Sequence, residues 1–348
     1  MSRFAAFAAA GIVSIAAAAS GGCGAGTDGS PGEDPPVGPG QVVVAAAGDF
    51  GLEPPAVATL DAIGVADPDL VLGLGDLSYA GPGSEDQFCD LVGSTVGMET
   101  PFELISGNHE EDTGGDGRIK SFARCLPDRL GAVGDYGTQY YFDVGRLARF
   151  IMISPDLTID GDYHYYGPDD DGAATPDLEW LLESIDDARA SGIEWIVVGM
   201  HKNCISVGEY YCDVYQDLFS ALIEKRVDLV LTGHDHTYQR SKQINAPRAG
   251  CPAVVVDRFD PDCVVNEGDS YEQGAGTAFV VAGVGGTELY PVHPDDPEAG
   301  YFVASMGRNT EGNRHGFAAL TISSQRLEVQ FVASTPGTFV DRFEILAR

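Results

Sequence analysis

Residues 75–80 read GDLSYA, Gly75 to Ala80, and they close the apolar run "DLVLGL". An Asp at the end of a buried strand is costly unless something neutralises it. Asp76 stands at such a place, with Tyr79 three residues behind it. The pattern recurs. "QVVVAAAGD" ends on Asp49, "FELISGN" on Asn108, "IEWIVVGMH" on His201, and "VDLVLTGHDH" on His234 and His236. Each is a short, β-rich apolar run that ends in Asp, Asn or His. Taken singly, such a residue is a cap or a turn residue. Its recurrence at equivalent positions is not explained that way. Ligands of open α/β sheets bind outside the carboxyl ends of the strands, so these residues are expected along one edge.

Between the strands lie helical stretches. "PAVATLDAIG" is expected to be a helix, and "TPDLEWLLESIDDARASG" a second, with Thr175 as N-cap, Pro176 after it and Gly192 as the stop. A third is expected over Cys212 to Arg226. "LARFIMIS", Leu147 to Ser154, is a further strand. After Ala278 the helices stop. "AFVVAGVGG", "GFAALTIS", "RLEVQFVAS" and "TFVDRFEIL" are expected to be antiparallel strands that complete the core. The fold class is therefore α/β, and no internal repeat occurs.

The chain has 348 residues, enough for a large core. Its 53 acids against 20 bases give a net charge of −33. Such a surface repels nucleic acid, so no bulk nucleic-acid partner is expected. An anionic substrate would need concentrated local positive charge, which metal ions supply. The first residues read as an export signal over 1–22: Arg3, then an apolar, Ala-rich stretch too short for a confident span. "SGGCG" resembles a bacterial lipoprotein signal in which Cys23 would carry the lipid, with Ser20 where the usual box has Leu. Residues 23–40 are a Gly- and Pro-rich tether. The protein is thus expected outside the cytoplasm, either secreted or anchored to the outer face of a membrane, and residues 41–348 are expected to be its catalytic domain. Six further cysteines suit disulfides. Fifteen pairings are open. The economical one joins Cys204 to Cys212 and Cys251 to Cys263, leaving Cys89 with Cys125.

Asp, Asn, His and Tyr without thiolate select hard or borderline metals over soft ones. Counting Tyr79, seven candidates are too many for one ion and suit two that share a carboxylate. In order along the chain, "GDFG", "GDLSYA", "GNHE", "GMH" and "GHDH" resemble the five blocks of the metallophosphoesterase (calcineurin-like) superfamily. The Tyr of the second block resembles the purple acid phosphatase branch. The resemblance implies a four-layer α/β/β/α sandwich with the site at the strand C-termini. It implies that Asp49, Asp76, Tyr79 and His236 hold an iron(III), and that Asp76, Asn108, His201 and His234 hold a divalent ion (Zn, Mn or Fe), with Asp76 as bridge. His109, next to Asn108, would face the phosphate, as acid for the leaving alcohol or stabiliser of developing charge.

Two departures stand out. Plant-type members carry further histidines nine to ten residues after the fourth-block His, where this chain has Tyr210 and Tyr211. Their N-terminal β-sandwich has no counterpart before Gln41. The function expected is hydrolysis of a small phosphate monoester. A phosphodiesterase or nucleotidase on the same site, and an inactive surface-displayed binding protein, are the alternatives. His164, in "DGDYHYYGPDDD", is expected in a polar loop that could form an aromatic rim over the site. His293 is expected in a surface turn, and His315 at the start of a strand.

Overall fold

Two large sheets face each other. The computed structural model describes residues 40–348; the expected export signal, Cys23 and all but the last residue of the tether lie outside the described residues. One sheet has seven strands, in the order Ser270–Glu272, Arg342–Leu346, Arg326–Ala333, Gly316–Ser323, Gln41–Ala47, Leu70–Gly73 and Phe102–Leu104. The other has eight, in the order Phe302–Met306, Tyr238–Ser241, Ala278–Ala282, Leu229–Thr232, Trp195–Met200, Ala148–Ile153, Gln139–Val144 and Val133–Asp135.

Period-two alternation sorts the side chains into layers. Val42, Val44 and Ala46 meet Phe150, Val197 and Leu231 in the core between the sheets. The intervening residues point outward. Ala45, Ala47 and Val71 pack on the helices Pro54–Ala66, Glu85–Thr95 and Ile119–Cys125. Ile151, Val198 and Val230 pack on Pro176–Ala190 and Gln216–Glu224. This is the four-layer α/β/β/α sandwich expected.

The helix after Thr175 starts as read, its hydroxyl accepting from the Leu178 amide. Three expectations need correction. The helix expected from Cys212 begins only at Gln216, because Cys212 is tied back to Cys204. The Ala278–Ala282 strand is parallel to Leu229–Thr232, not antiparallel. A long connection carrying the Cys251–Cys263 disulfide returns the chain to the start of the sheet, so no helix is needed for a parallel crossover. The last strand runs from Arg342, not Thr338. Cys89–Cys125 is the third disulfide and joins two helices on the outer face of the first sheet.

Three adjacent strands of the second sheet, Ala148–Ile153, Trp195–Met200 and Leu229–Thr232, are parallel. So are Gln41–Ala47, Leu70–Gly73 and Phe102–Leu104 in the first. The loops that follow within each set therefore leave its sheet at one end.

Candidate metal centre

The turns at these strand ends are sharp. Asp49 has φ 63°, Asp76 φ 49° and His234 φ 66°. Non-glycine residues rarely adopt this left-handed region, Asp and His more readily than most. The surrounding backbone fixes it. The Asp49 amide donates to the Gly75 carbonyl (3.1 Å) and the Phe50 amide to that of Asp76 (3.0 Å). Across the sheets, the His234 amide donates to Asp49 Oδ2 (2.9 Å). The recurrent glycines have a steric cause. A Cβ on Gly107 would lie 2.1 Å from Asp76 Oδ1, and one on Gly75 2.6 Å from His201 Nδ1.

The side chains form two groups that meet at Asp76. In the first, the Tyr79 phenol oxygen lies 3.0 Å from Asp49 Oδ1, 3.0 Å from Asp76 Oδ2 and 3.2 Å from His236 Nε2. His236 Nε2 is 3.4 Å from Asp49 Oδ1. In the second, His201 Nε2 is 3.3 Å from Asp76 Oδ2 and 3.1 Å from Asn108 Oδ1. The His234 ring lies 5.0 Å from that of His201.

Neighbouring groups orient the imidazoles. His201 Nδ1 donates to the Leu74 carbonyl (2.8 Å) and His236 Nδ1 to that of Glu288 (2.9 Å), which turns both Nε2 atoms inward. His234 is reversed: its Nε2 meets Asp213 Oδ2 (3.1 Å), leaving Nδ1 as the atom free to ligate. Tyr210 stacks on His234 (centroids 3.9 Å apart) and Tyr290 on His236 (4.0 Å). His315 holds the Thr287 carbonyl at 2.7 Å, next to the Glu288 carbonyl that holds His236. Beneath the site, the Glu110 carboxyl accepts from the amides of Asp76 (2.9 Å), Leu77 (2.8 Å) and Gly107 (2.9 Å). Burial, with the Asp76 charge second, pushes Glu110 up to about 8.

This donor set fits a bound cation. Ligand atoms of Asp49, Asp76 and His201 all lie within 4.8 Å of one another, and all three residues are buried. Among the described residues neither carboxylate pairs with a Lys or Arg. Burial alone would raise Asp76. His201 and His109 beside it outweigh burial and hold its carboxyl well below the usual range. Burial, then the Asp49 and Asp76 charges, push the Tyr79 phenol well above its ordinary value. A phenolate there needs a cation beside it.

His109 stands at the edge of this cluster. Its side chain is 33% exposed, with Nε2 3.7 Å from Asp76 Oδ2 and Nδ1 bonded to the Asp116 carboxylate. All eight residues singled out from the sequence thus gather at one edge. Asp213, Asp116, Glu110, Tyr290 and His315 were not assigned roles there. Glu110 was visible as the last letter of "GNHE". His164 lies in the loop expected, its Nδ1 3.5 Å from Asp177 Oδ2. His293 is exposed near Glu209.

A two-sheet sandwich that delivers Asp, Asn and His donors from successive strand ends to one edge is the scaffold of a metallophosphoesterase. The chain belongs to the calcineurin-like phosphoesterase family, whose model matches residues 43–238. It is 30% identical over 215 residues to purple acid phosphatase 21 of Arabidopsis thaliana, covering 59% of this chain and 46% of that protein. It is 26% identical over 193 residues to the Fe(3+)-Zn(2+) purple acid phosphatase 12 of the same plant, covering 50% of this chain and 38% of that one. The chain thus spans less than half the length of these curated relatives. In structure it resembles the purple acid phosphatase PPD1 from yellow lupin seeds (TM-score 0.64, 21% identity), over 88% of this chain and 54% of that one.

Proposed function

We propose that the protein is an exported phosphatase that hydrolyses small phosphate monoesters at a centre of two metal ions. One observation carries this reading. The Tyr79 oxygen touches Asp49, Asp76 and His236 at once, while Asp76 also faces His201, so a single carboxylate is common to two donor groups. Asp49, Asp76, Tyr79 and His236 would hold an iron(III), the ion a phenolate suits. Asp76, Asn108, His201 and His234 would hold a divalent ion such as Zn, Mn or Fe. When bound, such a pair supplies Lewis-acid charge to a phosphoryl group and makes water acidic enough to act as a nucleophile. It also gives a chain of net charge −33 a place for an anion.

The remaining steps belong to the chain's own residues. Asp116 fixes His109 through Nδ1, so Nε2 faces the centre, 3.7 Å from Asp76 Oδ2. In the imidazolium form, that Nε2 proton is available to the leaving oxygen as its bond to phosphorus breaks. The products are an alcohol and inorganic phosphate, with water as the other reactant. Asp213, Leu74 and Glu288 keep the three ring orientations. Export, by secretion or with Cys23 as a lipid anchor, belongs to this reading; the three disulfides support export itself.

The test compares 4-nitrophenyl phosphate with bis(4-nitrophenyl) phosphate on the purified, metal-replete protein. The monoester should be the better substrate. Faster diester hydrolysis would make the protein a phosphodiesterase, and no hydrolysis of either would favour a binding protein.

A further inference from the structure

An open cleft of about 500 Å³ is walled by Tyr163, Tyr165 and Tyr215, with Asp169 and Asp170 also lining it. Its walls leave the sheet at the same end as the metal centre. They belong to the segments that follow the parallel strands Ala148–Ile153 and Trp195–Met200, the second of which also delivers His201.

Two short links join cleft and centre. The Tyr163 hydroxyl donates to Asp156 Oδ1 (2.5 Å), and Asp156 Oδ2 accepts from Lys202 Nζ (2.6 Å), the residue after His201. Asp213, which holds His234, lies two residues before Tyr215. Two residues of chain span about 7 Å at most.

The rings are held apart from the core. Tyr163 and Tyr215 are 50% and 47% exposed. Their hydroxyls lie 3.0 Å apart, and Tyr165 meets Tyr215 edge to face with centroids 5.0 Å apart. Tyr215 is the most telling. It occupies the N-cap position of the Gln216–Glu224 helix, with φ 66°, ψ 143° and no side-chain cap bond. An N-cap favours Ser, Thr, Asp or Asn, and a bulky residue at positive φ is strained. The helix start is thus weakened twice over, and what the tyrosine provides is a half-exposed ring on the cleft wall.

We propose that this cleft takes a planar aromatic ring on the alcohol side of the phosphate ester. The substrate is then an aryl or nucleoside monophosphate, not a sugar or polyol phosphate. The inference deepens, and rests on, the phosphatase reading above. Aromatic side chains stack any flat ring. Asp169 and Asp170 repel a second anionic group, so the part of the substrate lying here is uncharged and its phosphate points to the metal side.

The experiment measures kcat/KM for adenosine 5′-monophosphate, 4-nitrophenyl phosphate and glycerol 2-phosphate. It uses the wild type, Tyr215→Gly, Tyr163→Ala and Tyr163→Phe, with Tm recorded for each. Glycine suits the positive φ, so Tyr215→Gly removes the ring without adding strain. The readout is the ratio of ring substrate to glycerol phosphate. It should favour the ring in the wild type and fall roughly five- to hundredfold in Tyr215→Gly and Tyr163→Ala, the range for losing one stacked ring. Tyr163→Phe keeps the ring and should keep the ratio. A ratio that falls in Tyr215→Gly for both ring substrates marks any flat ring, one that falls for the nucleotide alone marks a nucleoside, and one that falls for 4-nitrophenyl phosphate alone marks an aryl ester; all three support the proposal. No ring preference, or a ratio untouched by Tyr215→Gly in a folded protein, overturns it. Calorimetric titration with adenosine and with 4-nitrophenol is independent of turnover. If no monoester is hydrolysed, the phosphatase reading fails by itself. Ring binding that is lost in Tyr215→Gly still upholds the cleft, and no ring binding by the wild type overturns it.

Discussion

Replacing His109 by Ala tests the division of labour at the centre. His109 touches the site through Nε2, 3.7 Å from Asp76 Oδ2, and is held through Nδ1 by Asp116. Its backbone amide also donates to Asp76 Oδ1 (3.0 Å), and that bond survives substitution. His109→Ala should therefore leave the metal donors in place. The loss is that of an acid at the leaving oxygen, on the order of 10²–10⁴-fold in kcat, or about 2.7–5.4 kcal/mol at 1.36 kcal/mol per decade. Asp116→Asn keeps the shape but loses the carboxylate that orients the ring. Loss of an orienting partner costs about 10–100-fold where the histidine is a metal ligand, and a similar loss in kcat is expected. The two residues act as one unit, so the double variant should be no slower than His109→Ala alone. The assay is steady-state hydrolysis of 4-nitrophenyl phosphate with metal content measured on the same samples. Losses that multiply in the double variant would show that Asp116 acts independently. Metal lost from His109→Ala would show that the residue holds the donor set together.

Three further outcomes are expected. The iron-loaded protein should carry a visible phenolate-to-iron absorption band, and Tyr79→Phe should abolish it while keeping most of the metal; a band that persists removes Tyr79 from the ligand set. Glu103 is fully buried, and burial, with the Asp128 charge second, raises it from 4.5 to about 8. Because the folded pKa is the higher, this contribution to stability is complete below about pH 4.5 and is lost toward pH 8, at up to about 1.4 kcal/mol per unit; Glu103→Gln should flatten that slope in denaturant titrations, and an unchanged slope would refute it. The Cys204–Cys212 disulfide closes the loop that carries Tyr210, which stacks on His234, and it abuts Asp213. Cys204→Ser with Cys212→Ser should lower kcat/KM even where the variant is still folded at the assay temperature, whereas a loss of Tm without loss of activity would make the bridge purely structural.

The donors of the centre were legible because each lies within a local pattern: an apolar run, a glycine and a polar residue. Asp49, Asp76, Asn108 and His234 follow it directly, and His201 with Met200 inserted after the glycine. Their supports were not. Asp213 and Glu288 lie in loops after neighbouring parallel strands of the second sheet, and only that strand pairing brings them to His234 and His236; His315, which holds the adjoining Thr287 carbonyl, comes from the other sheet. The helix Glu85–Thr95 escaped because its buried face is only Phe88, Cys89 and Val92, amid polar residues. The strand Tyr238–Ser241 escaped because it is polar, although buried: Gln239 and Arg240 are satisfied by Ser206, Thr237 and Asp341. Alternating hydropathy cannot reveal a strand whose polar side chains find partners inside. The parallel direction of Ala278–Ala282 is not legible because its crossover runs through short strands and turns and not a helix.

The central claim is that Asp76 is shared by two metal sites. Metal content per chain, measured on wild type and Asp76→Asn after loading with iron and zinc and removal of excess, tests it most directly. Two ions per chain in the wild type, and loss from both sites in the folded variant, is the result expected. A wild type that binds one ion, or an Asp76→Asn protein that keeps two, would contradict it.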